Sequence, residues 1–266
     1  MEKELVFLKL GGSLITDKNK PYTPRLDKLA ELAQEIKTVL ELNPDLILIL
    51  GHGSGSFGHT AAKKHGTREG VRTPEQWLGF AEVRFQAAQL NHHVMETLLK
   101  AGVPATSFAP SSSMVADDRK VTHHNILAIR KSLGAGVLPV VYGDVAFDET
   151  RGGTILSTED VFAFLAEQLS PSRILLAGIE AGVWEDFPAR TRLVKQIKLS
   201  DYERTRAGIG GSASTDVTGG MKAKVEEMLA LIQKTKKLTV QIFSGEEQGC
   251  LSRALQGENM GTLLTA

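Results

Sequence analysis

Short apolar runs alternate along the chain with longer stretches in which apolar residues return every three or four positions. Residues 5–10, 45–50, 103–108, 137–142, 173–177, 238–243 and 261–265 are too short and too uniformly apolar for surface helices, and predict strands. Between them, residues 25–41 place Leu26, Leu29, Leu32, Ala33, Ile36 and Leu40 on one helical face, which predicts a helix packed on a core. Further helices are predicted over 74–101, over 125–133 and from about 220 to 234, with Pro74 suited to a first helical position and Gly102 to a helix end. This alternation predicts an α/β protein, a mainly parallel sheet covered by helices on both faces, folded as a single unit without repeats or linkers.

The helix over 74–101 is too apolar for one narrow stripe. Either it is buried on two sides or part of its face lines an apolar pocket. Ala88, Val94 and Leu98 read as core, whereas Trp77, Phe80 and Phe85 are candidates for a pocket wall.

The chemistry gathers where strands end. The run over 45–50 leads into Gly51-His52-Gly53-Ser54-Gly55-Ser56-Phe57-Gly58-His59. Glycines at this density let the backbone bend sharply and approach a ligand, and exposed N–H groups in such a loop suit phosphate oxygens. Lys9 sits at the end of the first apolar strand, where a lysine is costly without an anion, and is followed by Gly11-Gly12. Thr215-Asp216-Val217-Thr218-Gly219-Gly220-Met221-Lys222-Ala223-Lys224 opens the helix to 234 with lysines in its first turn, against the helix dipole, which again points to an anion. In a parallel sheet the carboxyl ends of the strands share one edge, so these three loops are predicted to converge there.

Composition narrows the class. Of the 266 residues, 42% are hydrophobic, enough for a large core; Lys plus Arg and Asp plus Glu number 31 each, so no global field favours nucleic acid or an anionic membrane. Cys250 is the single cysteine, no signal-peptide core opens the chain, and no run approaches a membrane span; these features predict a cytoplasmic protein. The pairs His92-His93 and His123-His124 lack ligands at metal spacings and read as solvated or capping residues. Converging lysines and glycine loops suit phosphoryl transfer, which needs positioning and the spreading of negative charge. The P-loop and protein-kinase motifs are both missing.

Lys9-Leu10-Gly11-Gly12-Ser13, the glycine loop, Val141-Tyr142-Gly143-Asp144 and Thr215 to Met221 together resemble the amino acid kinase superfamily over essentially the whole chain. Within it, the loop ending in His59, with Ile15-Thr16-Asp17-Lys18, is most similar to isopentenyl phosphate kinases. The resemblance implies an open αβα sandwich, usually a homodimer, with the phosphoacceptor in about residues 1–150 and ATP in about 151–266. It implies that the γ-phosphoryl of ATP passes to isopentenyl phosphate, with Mg²⁺ accompanying ATP and resting on phosphate oxygens and water. It places His59 on the acceptor phosphate with Gly53, Ser54 and Thr158, and Lys9, Lys18 and Lys224 on the β- and γ-phosphates and the developing charge. Gly11, Gly12, Gly55, Gly178, Gly219 and Gly220 fall to the nucleotide.

The chain departs from the pattern twice. Ser157-Thr158-Glu159-Asp160 stands where relatives usually read Ser-Gly-Asp, which bears on the acceptor contact and on the carboxylate that orients the lysines. Gly178-Ile179-Glu180-Ala181-Gly182-Val183-Trp184 replaces Thr-Asp-Val-Asp-Gly-Val-Tyr near the expected nucleotide. The rival readings are a fosfomycin-type phosphonate kinase with a small polar acceptor, a kinase acting on a carboxylate such as glutamate, and a non-catalytic nucleotide- or oxyanion-binding protein.

Overall fold

The computed structural model describes residues 3–202, 220–235 and 237–266. Its strands are β1 (Glu4–Leu10), β2 (Leu46–His52), β3 (Ala105–Phe108), β4 (Met114–Asp117), β5 (Lys120–His124), β6 (Leu138–Tyr142), β7 (Asp144–Asp148), β8 (Gly152–Leu156), β9 (Arg173–Gly178), β10 (Val183–Trp184), β11 (Leu193–Val194), β12 (Gln196–Lys198), β13 (Thr239–Ser244) and β14 (Thr262–Thr265). Eight of them form one sheet in the order β12-β14-β13-β9-β1-β2-β6-β3, parallel throughout except where β13 meets β14. Lys9 aligns with Gly51 of β2 and with Leu176 of β9, so the loops following these three strands leave the sheet side by side.

The helices are α1 (Gly12–Ile15), α2 (Leu26–Leu42), α3 (Gly55–His65), α4 (Pro74–Lys100), α5 (Pro110–Ser113), α6 (Leu127–Gly134), α7 (Thr158–Leu169), α8 (Gly220–Lys234) and α9 (Cys250–Leu255). They cover both faces of the sheet. Along β1 the side chains alternate: Val6, Leu8 and Leu10 pack with Leu29, Leu32 and Ile36 of α2, Val94 and Leu98 of α4 and Leu251 and Leu255 of α9. Phe7 turns the other way, onto Phe162 and Leu165 of α7 and Val225 and Met228 of α8. The two-residue period then sends Lys9 to the Phe7 side, toward α7 and α8. No described helix is long and apolar enough to cross a membrane.

A second sheet, β5-β4-β7-β8, lies beside the first and was not predicted from the apolar pattern, because its strands are short and half polar. Ala61 and Ala62 of α3, Phe80 and Val83 of α4 and Val145 of β7 form a third small core, against which Ile155 of β8 packs. Among the other unpredicted elements, two border a cleft. The polar residues after the glycine loop continue it as α3, closed by Gly66 in the left-handed region at φ 61°. α7 starts on a capping box in which Ser157 and Asp160 exchange side chain-to-backbone hydrogen bonds of 3.0 and 2.7 Å. The predicted 25–41 and 74–101 helices appear as α2 and α4, the latter capped by Thr73 and Gln76 around Pro74.

Candidate active site

One cleft of about 720 Å³ opens at the carboxyl edge of the sheet, and the predicted site residues line it. Lys9, Gly11, Gly12, Lys18, Gly53, Ser54, Gly55, His59, Thr158, Gly178 and Lys224 all contribute to its wall. Gly220 begins α8 with φ 74°, next to the lining residue Met221. Gly219 and the rest of the segment Thr215 to Thr218 lie outside the described residues.

The two glycine loops lock into each other. A Cβ on Gly12 would stand 2.4 Å from the Gly55 nitrogen, and one on Gly53 would stand 2.8 Å from the Gly12 nitrogen. At Gly55, φ is +49° and a Cβ would meet the Thr16 hydroxyl at 2.3 Å. These glycines are therefore required by backbone-to-backbone packing as well as by any ligand. Thr16 ties the arrangement together: its hydroxyl donates to Gly12 O at 2.7 Å and accepts from Ser56 N at 3.0 Å. Gly178 is different, since a Cβ there would meet nothing within 4 Å.

His52 anchors the loop from beneath. It is fully buried, its ring stacks on Tyr142 with centroids 5.2 Å apart, and its Nε2 lies 3.2 Å from Asn91 Oδ1. Burial pushes its pKa from 6.5 down to about 4, so the imidazole is neutral and structural. The Thr158 hydroxyl donates to the His52 carbonyl oxygen at 2.7 Å. Thr158, expected at the acceptor phosphate, thus borders the cleft with its hydroxyl proton committed to β2.

The centre of the cleft is a charge cluster. Lys9, only 9% exposed, forms an ion pair with Glu159 Oε2, and Lys224 Nζ lies 3.9 Å from Glu159 Oε1. Burial raises the Glu159 carboxyl, but Lys9 and Lys224 outweigh it and hold the group below its ordinary value. One buried carboxylate thus aims two lysines. Glu159 was not among the predicted site residues, although the substitution at 157–160 had marked the segment. The available signal was the Ser157-x-x-Asp160 capping pattern, which puts residue 159 in the first turn of a helix at the sheet edge. Lys18 is exposed at the cleft rim, and His59 is half-buried on the first turns of α3.

The apolar wall differs from the prediction. Trp77 and Phe80 pack on each other and on Phe147, with centroid separations of 5.2 to 5.9 Å, behind the wall rather than in it. Phe85 is 53% exposed and faces away. The wall is instead Val83 and Ala87 of α4 with Ala62 and Ile155. At the opposite end, Gly178, Ile179, Glu180, Trp184, Phe187 and Arg190 line the cleft. Here Glu180 accepts from Trp184 Nε1 at 3.1 Å and from Arg190 at 3.1 and 2.9 Å, and the Arg190 guanidinium lies over the Phe187 ring. The segment that departs from the family pattern is thus folded into a tied, aromatic cleft end.

Among the described residues no group of three or more His, Cys, Asp or Glu side chains could hold a metal ion. His124 instead meets Ser113 O at 2.9 Å, and His93 sits edge-on to Phe57.

A mainly parallel sheet between helical layers, with interlocked glycine loops and lysines aimed by a buried carboxylate, is the architecture of a phosphotransferase, and residues 4–244 match the amino acid kinase family; the chain belongs to it. It is therefore a kinase, using ATP. Among its relatives, the isopentenyl phosphate kinase of Methanocaldococcus jannaschii is 35% identical, the alignment covering 97% of each chain. That of Methanothermobacter thermautotrophicus is also 35% identical, over 98% of this chain and 99% of the relative. An X-ray structure of an isopentenyl phosphate kinase superposes with a TM-score of 0.83 at 30% identity, covering 98% of this chain and all of the other.

Proposed function

We propose that the protein transfers the γ-phosphoryl group of ATP to isopentenyl phosphate, giving isopentenyl diphosphate and ADP. The observation that carries this reading is the convergence of Lys9 and Lys224 on Glu159, beneath the interlocked glycine loops, in a cleft that continues into the apolar wall of Val83, Ala87 and Ile155. A phosphate monoester is already ionised near neutral pH, so the nucleophile needs no general base. What it needs is relief from bringing two anions together, and the lysines supply that while glycine-loop N–H groups fix the geometry.

In this reading His59, with the backbone at Gly53 and Ser54, holds the acceptor phosphate. Lys9, Lys18 and Lys224 span the transferred group, with Gly11, Gly12, Gly55 and Gly220 allowing close backbone approach. The acceptor lies toward residues 1–150 and the nucleotide toward 151–266, against Trp184, Phe187 and Arg190. Magnesium enters as part of MgATP and rests on phosphate oxygens and water in this reading: among the described residues no carboxylate cluster could hold the ion, Glu159 pairing with lysines and Glu180 with Arg190.

The apolar wall disfavours the small polar acceptor of a phosphonate kinase, and a carboxylate acceptor would leave the cation cluster over-provided. A coupled ADP-release assay with isopentenyl phosphate, dimethylallyl phosphate, fosfomycin and glutamate tests the reading. The two prenyl phosphates should give the highest kcat/KM; preference for either of the others would overturn it.

A further inference from the structure

Arg68 is a cleft residue that the lysine and histidine assignments leave unused. It occupies a 3-10 turn, Thr67–Glu69, that follows the αL cap of α3 at Gly66. The turn's backbone is pinned from several directions. Glu69 N donates to Gly66 O at 3.0 Å, the Thr154 hydroxyl of β8 donates to Arg68 O at 3.1 Å, and Arg151 Nη1 donates to Glu69 O at 3.0 Å. Thr67 and Thr154 are almost completely buried. A turn held this firmly fixes where its arginine emerges, and it emerges into the cleft.

One donor of the side chain is unsatisfied. Arg68 Nη1 is buried without a hydrogen-bond partner, although the charge of the guanidinium is felt by the carboxyls of Asp160 and Glu227, whose pKa values burial raises and the guanidinium draws downward. A guanidinium is charged at every accessible pH, and with those carboxyls beside it the buried Nη1 donor still lacks an acceptor, which a ligand anion in the cleft would supply. The fold indicates which anion. Arg68 follows the helix that carries His59, and Thr154, which pins it, directly precedes Ile155 of the apolar wall. Arg68 therefore belongs to the acceptor end of the cleft, not to the end formed by Gly178, Trp184 and Arg190. Its planar fork matches two oxygens of one phosphate group, a geometry no lysine offers.

We propose that Arg68 is a substrate-binding residue for the phosphate group of the acceptor, donating from its guanidinium to the monoester oxygens alongside His59. The proposal rests on the acceptor reading above. It adds a cation that binds the acceptor before ATP arrives, and so sets acceptor affinity more than the chemical step.

Calorimetric titration of isopentenyl phosphate without ATP, into wild type, Arg68→Gln and Arg68→Lys, tests it. Arg68→Gln should raise the acceptor Kd by about 10- to 100-fold, the range of a charge-assisted hydrogen bond, and Arg68→Lys should recover part of the loss. The ATP Kd should stay within about twofold, as should inhibition by isopentenol, which lacks the phosphate. An unchanged acceptor Kd in Arg68→Gln, with a lowered Tm, would overturn the proposal and make the guanidinium a structural partner of the neighbouring Asp160 or Glu227. Should Arg68→Gln not fold, Arg68→Lys decides: an acceptor Kd equal to wild type overturns the proposal. If the wild type turns over a different phosphate or phosphonate acceptor, the functional reading fails separately, and the same Kd comparison with that acceptor still judges Arg68.

Discussion

At the phosphate end of the cleft, Lys9 and Lys224 meet on Glu159, and the two glycine loops touch backbone to backbone. At the apolar end, Val83, Ala87 and Ile155 form a wall backed by Trp77, Phe80 and Phe147. The first region has almost no freedom, since a methyl group on Gly12 or Gly53 would strike backbone and a change at Lys9 would leave a buried carboxylate short of a partner. The second is built of side chains whose size can change without breaking a hydrogen bond. The contrast suggests that the phosphate end fixes the reaction and the apolar end selects the substrate.

Replacing Lys9 by Met should have the largest effect. Turnover is expected to fall about 10³-fold, the cost of losing a donor aimed at developing charge, with a much smaller rise in the acceptor KM. An effect confined to KM would place Lys9 in ground-state binding and blur the contrast between the two ends. His59→Ala should cut kcat/KM for isopentenyl phosphate by about 10²-fold while Tm is preserved, because a half-buried cleft side chain contributes little to packing. Near-wild-type kinetics would remove it from the acceptor phosphate.

A third experiment separates structure from chemistry at the phosphate end. The folded-state pKa of His52 is depressed to about 4 from 6.5, so protonation favours the unfolded chain. Its contribution to stability is complete above pH 6.5 and is lost as pH falls from 6.5 toward 4. At about 1.4 kcal/mol per pH unit, the loss reaches about 3 kcal/mol across that window. Urea unfolding of wild type and His52→Asn from pH 7 to 4 should show the steeper decline in wild type; equal slopes would mean that His52 is charged or solvated in the native state.

The smallest effect is expected at the apolar wall. Ile155→Ala opens space beside the acceptor tail, and at about 0.8 kcal/mol per buried CH₂ a few newly accommodated groups should shift kcat/KM for geranyl over isopentenyl phosphate about tenfold. Phe85→Ala should leave that ratio unchanged. A reversal between the two variants would restore Phe85 to the wall.

How much of this was legible in the sequence follows the same division. The glycine loop after β2, the lysine ending β1 and the lysines opening α8 are local patterns whose chemistry follows from their position at strand and helix ends. The parallel sheet is legible for the same reason. The apolar wall is not, because the 3.6-residue period shows which α4 residues share a face but not which face meets empty space. Phe80 and Val83 belong to the same small core, yet only Val83 reaches the cleft. The sheet that supplies Ile155 was hidden because its short strands, interrupted by polar residues and glycine, have no continuous apolar run. Glu159 was masked differently: an acidic residue in a helix's first turn looks like ordinary dipole compensation until the strand register brings Lys9 beneath it. Arg68 had no signal at all, since its role depends on a turn pinned by residues more than 80 positions away in sequence.

The central claim is that the cleft joins a phosphoryl group to the phosphate of a short apolar monoester. Phosphorus-31 NMR of the wild type with MgATP and an equimolar mixture of isopentenyl phosphate, fosfomycin and glutamate tests it most directly. The account predicts loss of the monoester resonance and growth of the paired doublets of a prenyl diphosphate, in step with ADP. Growth of a phosphorylated phosphonate or an acyl phosphate, with the isopentenyl phosphate resonance intact, would contradict it.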